Sequence, residues 1–435
     1  MRWILCFPLD SKAEKLRVYK DLREGLAHTI TKIPWIAGKL EQQEGSSPGE
    51  SKIQVVDGDL GVRFRFNDLS GELPSYEHLK AAHFPLSKFS TTQLSPLNVM
   101  PQSADVPVMA AQANFVDGGL LLTIGAHHSV CDAFGLNTVL DTWAKMTASM
   151  VEDSSLVEAD SLINERAPLM TGMAGANLND FPEYVLKPTV SAAVTDVNTH
   201  QMAATPHRMP PMSARIFRFS TTSLKSLKIA AGAYATNDAL NALIWRHVTL
   251  ARMNASSQEP NTVNGDGSTA LLYSANIRSR LSPPLPPNYT GNASVACITR
   301  HLPFVEMAAP SGLVTTAAAI RSSVKTLARP NRVAMTIGLI ESRPNPTDYK
   351  FAYNGFLGPD LSTTSWADLS VFEMEWGGLG KPESLRVPGE GADGSMIVLP
   401  RSGDGALEVV VALESRAMEV LMGDEDFRTY AEAWA

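Results

Sequence analysis

The feature that most constrains this chain is the passage from Asp117 to Met150. Asp117-Gly118-Gly119 opens into an unbroken apolar run, Leu120 to Ala126, which reads as a strand buried on both faces. His127 and His128 follow at once. An apolar stripe at Leu136, Val139, Leu140, Trp143 and Met150 then marks a helix over about 135–150. A buried strand that runs straight into a helix requires a sheet covered by helices. It also sets two imidazoles at the strand end, where a rigid scaffold holds functional groups beside a cleft.

The alternation continues along the chain. Leu16, Tyr19, Leu22, Leu26 and Ile30 recur at helical steps and predict a helix over 13–30. Residues 52–56 and 62–66 alternate as strands around Asp57-Gly58-Asp59. Leu240, Leu243, Ile244, His247, Val248 and Ala251 line a helix over 237–252, capped by Thr236 or Asn237. Residues 255–268 read as a polar surface loop. Leu407 to Leu413 is a late strand, followed by a short helix through Met418 and Leu421. Between about 155 and 213 periodicity fails, so a long connection and a boundary are expected there. The expected plan is a first half over 1–190, a crossover linker over 191–213 and a second half over 214–435. Alternating strands and helices give α/β or α+β, and composition does not choose between them.

Charge and cysteine usage exclude several classes. The 435 residues carry 37 Lys plus Arg against 45 Asp plus Glu, a net charge of −8, and no basic cluster marks a nucleic-acid surface. No apolar run approaches the roughly 20 residues of a membrane helix. Cys6, Cys131 and Cys297 are odd in number and far apart, which points to a reducing, cytoplasmic setting and away from a disulfide frame or zinc site. There is no GxSxG elbow, and no GxGxxG follows a predicted strand. Gly377-Gly378-Leu379-Gly380-Lys381-Pro382 fails as a phosphate loop, because Glu375 stands at its first glycine position and Pro382 replaces Ser/Thr.

At the strand–helix junction a neutral His128 can accept a proton from a hydroxyl or amine, given a reference pKa of about 6.5. Asp132 can hold the turn. On spacing alone the ordinary reading, two half-buried histidines with satisfied nitrogens, is the stronger one. His127, His128, Cys131 and Asp132 lack a distant pair to complete a metal set, so no metal is expected. Cys131 reads as a small buried hydrophobe.

His128-Ser129-Val130-Cys131-Asp132-Ala133 resembles the HxxxD(G) signature of the BAHD-type acyl-CoA-dependent acyltransferases, most closely their fungal, trichothecene acetyltransferase-like branch. Thr236 to Arg246 is similar to that family's helix at the start of the second half. Arg278-Ser279-Arg280 with Asn288-Tyr289-Thr290-Gly291-Asn292 resembles its R-x-R…Y-x-G-N stretch, Ser365-Trp366 its SW segment, and Glu375-Trp376-Gly377 through Pro382 its DFGWGKP motif. The motifs stand in family order along nearly the whole chain. Ala133 departs from the usual Gly, and Glu375-Trp376 from Asp-Phe. A proline-leucine-aspartate segment expected ahead of the first strand is not found there.

The resemblance implies two chloramphenicol-acetyltransferase-like domains, each a mixed sheet flanked by helices, with a channel between them. It implies direct acyl transfer, without an acyl-enzyme, to a small-molecule acceptor. His128 would be the general base. Asp132 would be its structural support, paired with an arginine such as Arg278. Trp366 would be either an oxyanion donor or a core aromatic. Ser365 and Lys381 would meet CoA. Arg278, Glu375 and Gly377 would be structural, the Glu375 carboxylate paired with an arginine, while Asn292 would only close a turn. Acyl-CoA, and acetyl-CoA first, is the expected co-substrate, with no tightly bound cofactor and no nucleic-acid or membrane partner; a monomer is expected. Phe351, Tyr353 and Phe356 would suit an aromatic or polycyclic acceptor. Two other readings stay open: the same base used for cyclisation, elimination or isomerisation, and a non-catalytic small-molecule binder.

Overall fold

The computed structural model describes residues 1–10, 14–41, 52–54, 61–96, 106–151, 165–187, 209–256, 267–345, 348–389 and 391–434. The first half contributes β1 (Arg2–Pro8), α1 (Lys15–Lys32), β2 (Arg63–Asp68), β3 (Met109–Val116), β4 (Gly119–Ala126) and α2 (Ala133–Val151). β4 pairs antiparallel with β1 and β3, and β2 joins β3 in parallel. Alternate residues of β1 and β4 serve two cores. Trp3, Leu5, Phe7, Leu120, Leu122 and Ile124 pack with Leu22 and Leu26 of α1 and Leu136 and Leu140 of α2. Ile4, Cys6 and Leu121 pack with Tyr76, Leu79 and Phe89 on the other face. That double coverage is why the run reads as continuously apolar.

The second half contributes β5 (Met212–Phe219), α3 (Thr236–Ser256), β6 (Leu271–Asn276), β7 (Ser294–Ile298), α4 (Gly312–Leu327), α5 (Arg332–Glu341), β8 (Leu361–Ser365), β9 (Ser384–Arg386), β10 (Ser395–Val398), β11 (Leu407–Glu414), α6 (Ser415–Gly423) and β12 (Glu432–Trp434). Its sheet runs β7-β6-β8-β10-β11-β5-β12, with β6, β8 and β10 parallel. The predicted helices and the late strand fall within a few residues of α1, α2, α3 and β11. Residues 55–56 and 257–266 lie outside the described residues.

β9 leaves its own half and adds to the first sheet beside β1, with Leu5 opposite Leu385. Arg386 fastens this arm: it donates to the carbonyls of His83 and Phe84 at 2.9 and 3.1 Å and pairs with Glu408 at 2.7 Å. Ile216, Val410 and Trp366 belong to the same buried cluster as Trp3 and Trp143, so one core runs from sheet to sheet.

Residues 165–187, drawn with the first half from the sequence, make their contacts with the second. Met173 N–H donates to Ala334 at 2.8 Å, Glu183 pairs with Arg332 at 2.7 Å, and Tyr184–Leu186 forms a ladder with Tyr349–Phe351. Phe181 and Tyr184 anchor this stretch singly, so no periodic signal reveals it. The linker residues 191–208 lie outside the described residues. Among the described residues no helix is long and apolar enough to cross a membrane.

Candidate active site

The loop from His127 to Asp132 links the end of β4 to the start of α2. Val130 and Cys131 are buried and pin it to the core, while His127 is half-buried and His128 and Ser129 are exposed. Burial also pushes the Cys131 thiol up to about 12, which keeps it protonated and inert. His127 Nδ1 accepts the Ser129 N–H at 3.3 Å, so its ring proton belongs on Nε2. Burial, with the Met1 amino terminus and the neighbouring His128, lowers the His127 pKa.

Asp132 anchors the other end of the loop. Its Oδ1 accepts from Gly135 N–H at 2.9 Å and Arg278 Nη2 at 2.8 Å. Its Oδ2 accepts from Arg278 Nη1 at 2.9 Å and Ala293 N–H at 2.8 Å. Two of these donors are backbone amides, one in the first turn of α2 and one just before β7. A carboxylate at a helix N-terminus with four donors is a well-satisfied buried charge.

Arg278 follows the end of β6. Besides Asp132 it donates to the carbonyls of Gly291 at 2.8 Å and Tyr289 at 3.3 Å, and it lies 5.5 Å from the centre of the Tyr289 ring. The resemblance names Arg278 as the partner, and the geometry makes the pair the clasp between the halves. α2 also approaches this turn at Gly135, where a Cβ would stand 2.1 Å from the Thr290 carbonyl oxygen. Asn292, set aside as a turn-closing residue, donates its Nδ2 proton to the His128 carbonyl at 3.0 Å. Its place beside Tyr289 and Gly291 in the quoted stretch was the only signal that pointed to it.

Trp366 is 6% exposed, with its ring 5.2 Å from that of Trp3. Ser365 is exposed at the end of β8. Among the described residues the expected arginine partner of Glu375 is not found: this side chain is 62% exposed and lies 3.4 Å from Lys381. The backbone turns Trp376 inward instead, fully buried between Phe7 and Trp143, and this leaves Glu375 on the surface. Gly377 has φ +59°, a conformation that favours glycine and accounts for its place in the motif.

Phe356 and Tyr353 belong to the segment that leads into β8, whose Asp360 accepts from Ala270 N–H before β6 begins. Arg278 stands past the other end of β6, so these rings are separated from the His128 loop by that strand, roughly 20 Å at ~3.3 Å per residue. Phe351 packs instead against Tyr184 at 5.7 Å. Among the described residues no group of three His, Cys, Asp or Glu side chains is arranged to hold a metal ion.

Comparison with known proteins covers the whole chain. The profile of the Transferase family matches residues 1–427. Acyltransferase easC of Emericella nidulans is 29% identical over 99% of this chain and 91% of its own length. Eremophilane O-acetyltransferase ORF8 of Penicillium roqueforti is 28% identical over 99% and 94%. Among solved structures, Fusarium sporotrichioides TRI101 complexed with coenzyme A and T-2 superposes with a TM-score of 0.83 at 23% identity, covering 100% of this chain and 95% of that one. That likeness establishes a shared fold. Family profile and relatives agree along the whole length, and the chain belongs to the Transferase family, the BAHD-type acyltransferases whose HxxxD signature it carries from His128 to Asp132.

Proposed function

We propose that the chain transfers an acyl group, acetyl foremost, from acyl-CoA to a hydroxyl or amine of a small natural product, with His128 as general base. The observation that carries this reading is the loop itself. His128 is exposed at its tip, while Asp132 at its foot is consumed by four donors and faces Arg278. Asp132 therefore supports the loop and does not relay protons. His128 removes the acceptor proton as the acceptor oxygen or nitrogen attacks the thioester carbonyl. The C–S bond then breaks, and the departing CoA thiolate takes the proton from His128. Base catalysis of this kind supplies about 10²–10⁴-fold, and positioning of the two substrates supplies much of the rest.

The relatives favour this chemistry over a cyclisation: one is named an O-acetyltransferase, and a structural neighbour was crystallised with coenzyme A. Ser365 and Lys381 are the side chains this reading offers to CoA. Trp366 is its candidate for the tetrahedral oxyanion through the indole N–H. Trp366→Phe then lowers kcat and leaves KM for acetyl-CoA unchanged, whereas a purely packing role lowers stability alone. Three buried, unpaired cysteines fit a reducing cytoplasm. We assign a monomer, since one core continuous between the two sheets lets a single chain bury the inner faces of both halves. The test is to incubate the protein with acetyl-CoA and a panel of hydroxylated terpenoids and polyketides, reading ester by mass and CoA by thiol release. Ester and thiol appearing together support the reading; no acetyl-CoA binding at millimolar concentration overturns it.

A further inference from the structure

We infer that Asn292 is a positioning residue for the proposed base, setting the direction of His128 from the opposite half of the molecule. This rests on the reading of His128 as general base. Three contacts lead to it. The Asn292 amide donates to the His128 carbonyl at 3.0 Å, on the exposed part of the loop. The residues on either side of Asn292 are clamped: Gly291 by its carbonyl to Arg278 at 2.8 Å, and Ala293 by its N–H to Asp132 at 2.8 Å. Its backbone is therefore held by the same buried ion pair that holds the foot of the His128 loop.

The charge pair fixes Asp132, four residues beyond His128, and the rigid strand fixes Ala126, two residues before it. Between those points His127 is tied by its N–H to the Val108 carbonyl at 2.9 Å and by its own carbonyl to the Val130 N–H at 3.1 Å. The N–H edge of the peptide after His128 reaches His127 Nδ1 at 3.3 Å; the carbonyl edge of that peptide, whose rotation would carry the imidazole with it, is held by Asn292. A hydrogen bond to the carbonyl of that same residue locks the plane. Near-attack geometry is sensitive to such displacements, with 1 Å of misplacement worth up to about 10²-fold in rate. Asn is suited to the task because a short neutral amide donates without adding a charge beside the base. The charged and titratable groups about the loop include His127, Cys131, the Asp132–Arg278 pair and the Met1 amino terminus, which donates to the Ala126 carbonyl at 2.7 Å.

The experiment compares Asn292→Ala and Asn292→Asp with wild type and His128→Ala, all full length. Turnover of acetyl-CoA is followed by thiol release, and the His128 ring by NMR titration with isotope-labelled histidine. Asn292→Ala is expected to lower kcat by about 10–100-fold, with KM for acetyl-CoA and the melting temperature little changed. Asn292→Asp keeps the shape, removes the donor and puts a carboxylate beside the base. It should lower kcat as well and displace the His128 ring resonances from their wild-type positions, with KM for acetyl-CoA little changed. Wild-type kcat in both variants, alongside an inactive His128→Ala, overturns the inference while leaving the base in place. A loss confined to melting temperature, or carried by KM alone, marks Asn292 as a structural tie and also overturns it. Full activity in His128→Ala removes the base assignment beneath both readings. If Asn292→Ala does not fold, the near-isosteric Asp variant decides through its kcat-against-KM split and its ring resonances.

Discussion

Two charge pairs in this chain lie within family motifs, and they sit in opposite settings. Asp132 and Arg278 have side chains 9% exposed, joined by two hydrogen bonds, and every carboxylate lone pair is occupied. Glu375 and Lys381 are 62% and 51% exposed and meet at 3.4 Å in solvent. The first pair spans the two halves and fixes the loop that carries His128; the second ties neighbouring residues of one turn. Burial, and not the presence of opposite charges in a motif, decides which pair the fold depends on. Breaking a buried pair strands an uncompensated charge, which costs about 3–5 kcal/mol, whereas exposed pairs contribute about 0–1 kcal/mol.

The largest effect is therefore expected at the clasp. Asp132→Ala or Arg278→Ala should destabilise by about 3–5 kcal/mol and abolish turnover, read from urea midpoints and acetyl-CoA thiol release. Loss of activity with wild-type stability would show that the pair is not the structural clasp described. Gly135→Ala comes next. Its added Cβ meets backbone at Thr290, which cannot swing aside, so a cost of about 1–3 kcal/mol is expected. A neutral result there would mean that the halves can slide at the turn. Glu375→Ala and Lys381→Ala should each shift the urea midpoint by less than about 1 kcal/mol. If Lys381→Ala instead raises KM for acetyl-CoA, the lysine works on the donor and its pairing with Glu375 is incidental. Smallest of all, the native protein should give no thiol reaction at pH 8. Burial pushes Cys6, Cys131 and Cys297 each to about 12, and denaturant should release all three.

The comparison also shows what the residues could reveal in advance. The strand–loop–helix around His128 was legible because a doubly buried strand and an amphipathic helix leave strong, local patterns. Arg278 was not legible by pattern: it lies 146 residues from Asp132 in sequence, and only the resemblance to the family joined them. Asn292 resembled any residue that closes a turn, and only coordinates show its amide aimed at His128. The Glu375-Trp376 exchange was visible, but which of the two faces inward depends on the backbone of the turn at Gly377. Residues 165–187 were missed as a packed segment because Phe181 and Tyr184 hold it as isolated anchors.

The central claim is that His128 acts on the acceptor and not on the fold or the donor. The most direct test sets His128→Ala beside wild type, measuring acetyl-CoA binding by calorimetry and acetyl transfer by thiol release on the same preparations. The account predicts equal binding in both and a loss of transfer of at least about 100-fold in the variant, since His128 is exposed and its removal leaves the buried core intact. Transfer that survives the substitution, or acetyl-CoA that binds to neither protein, would contradict it.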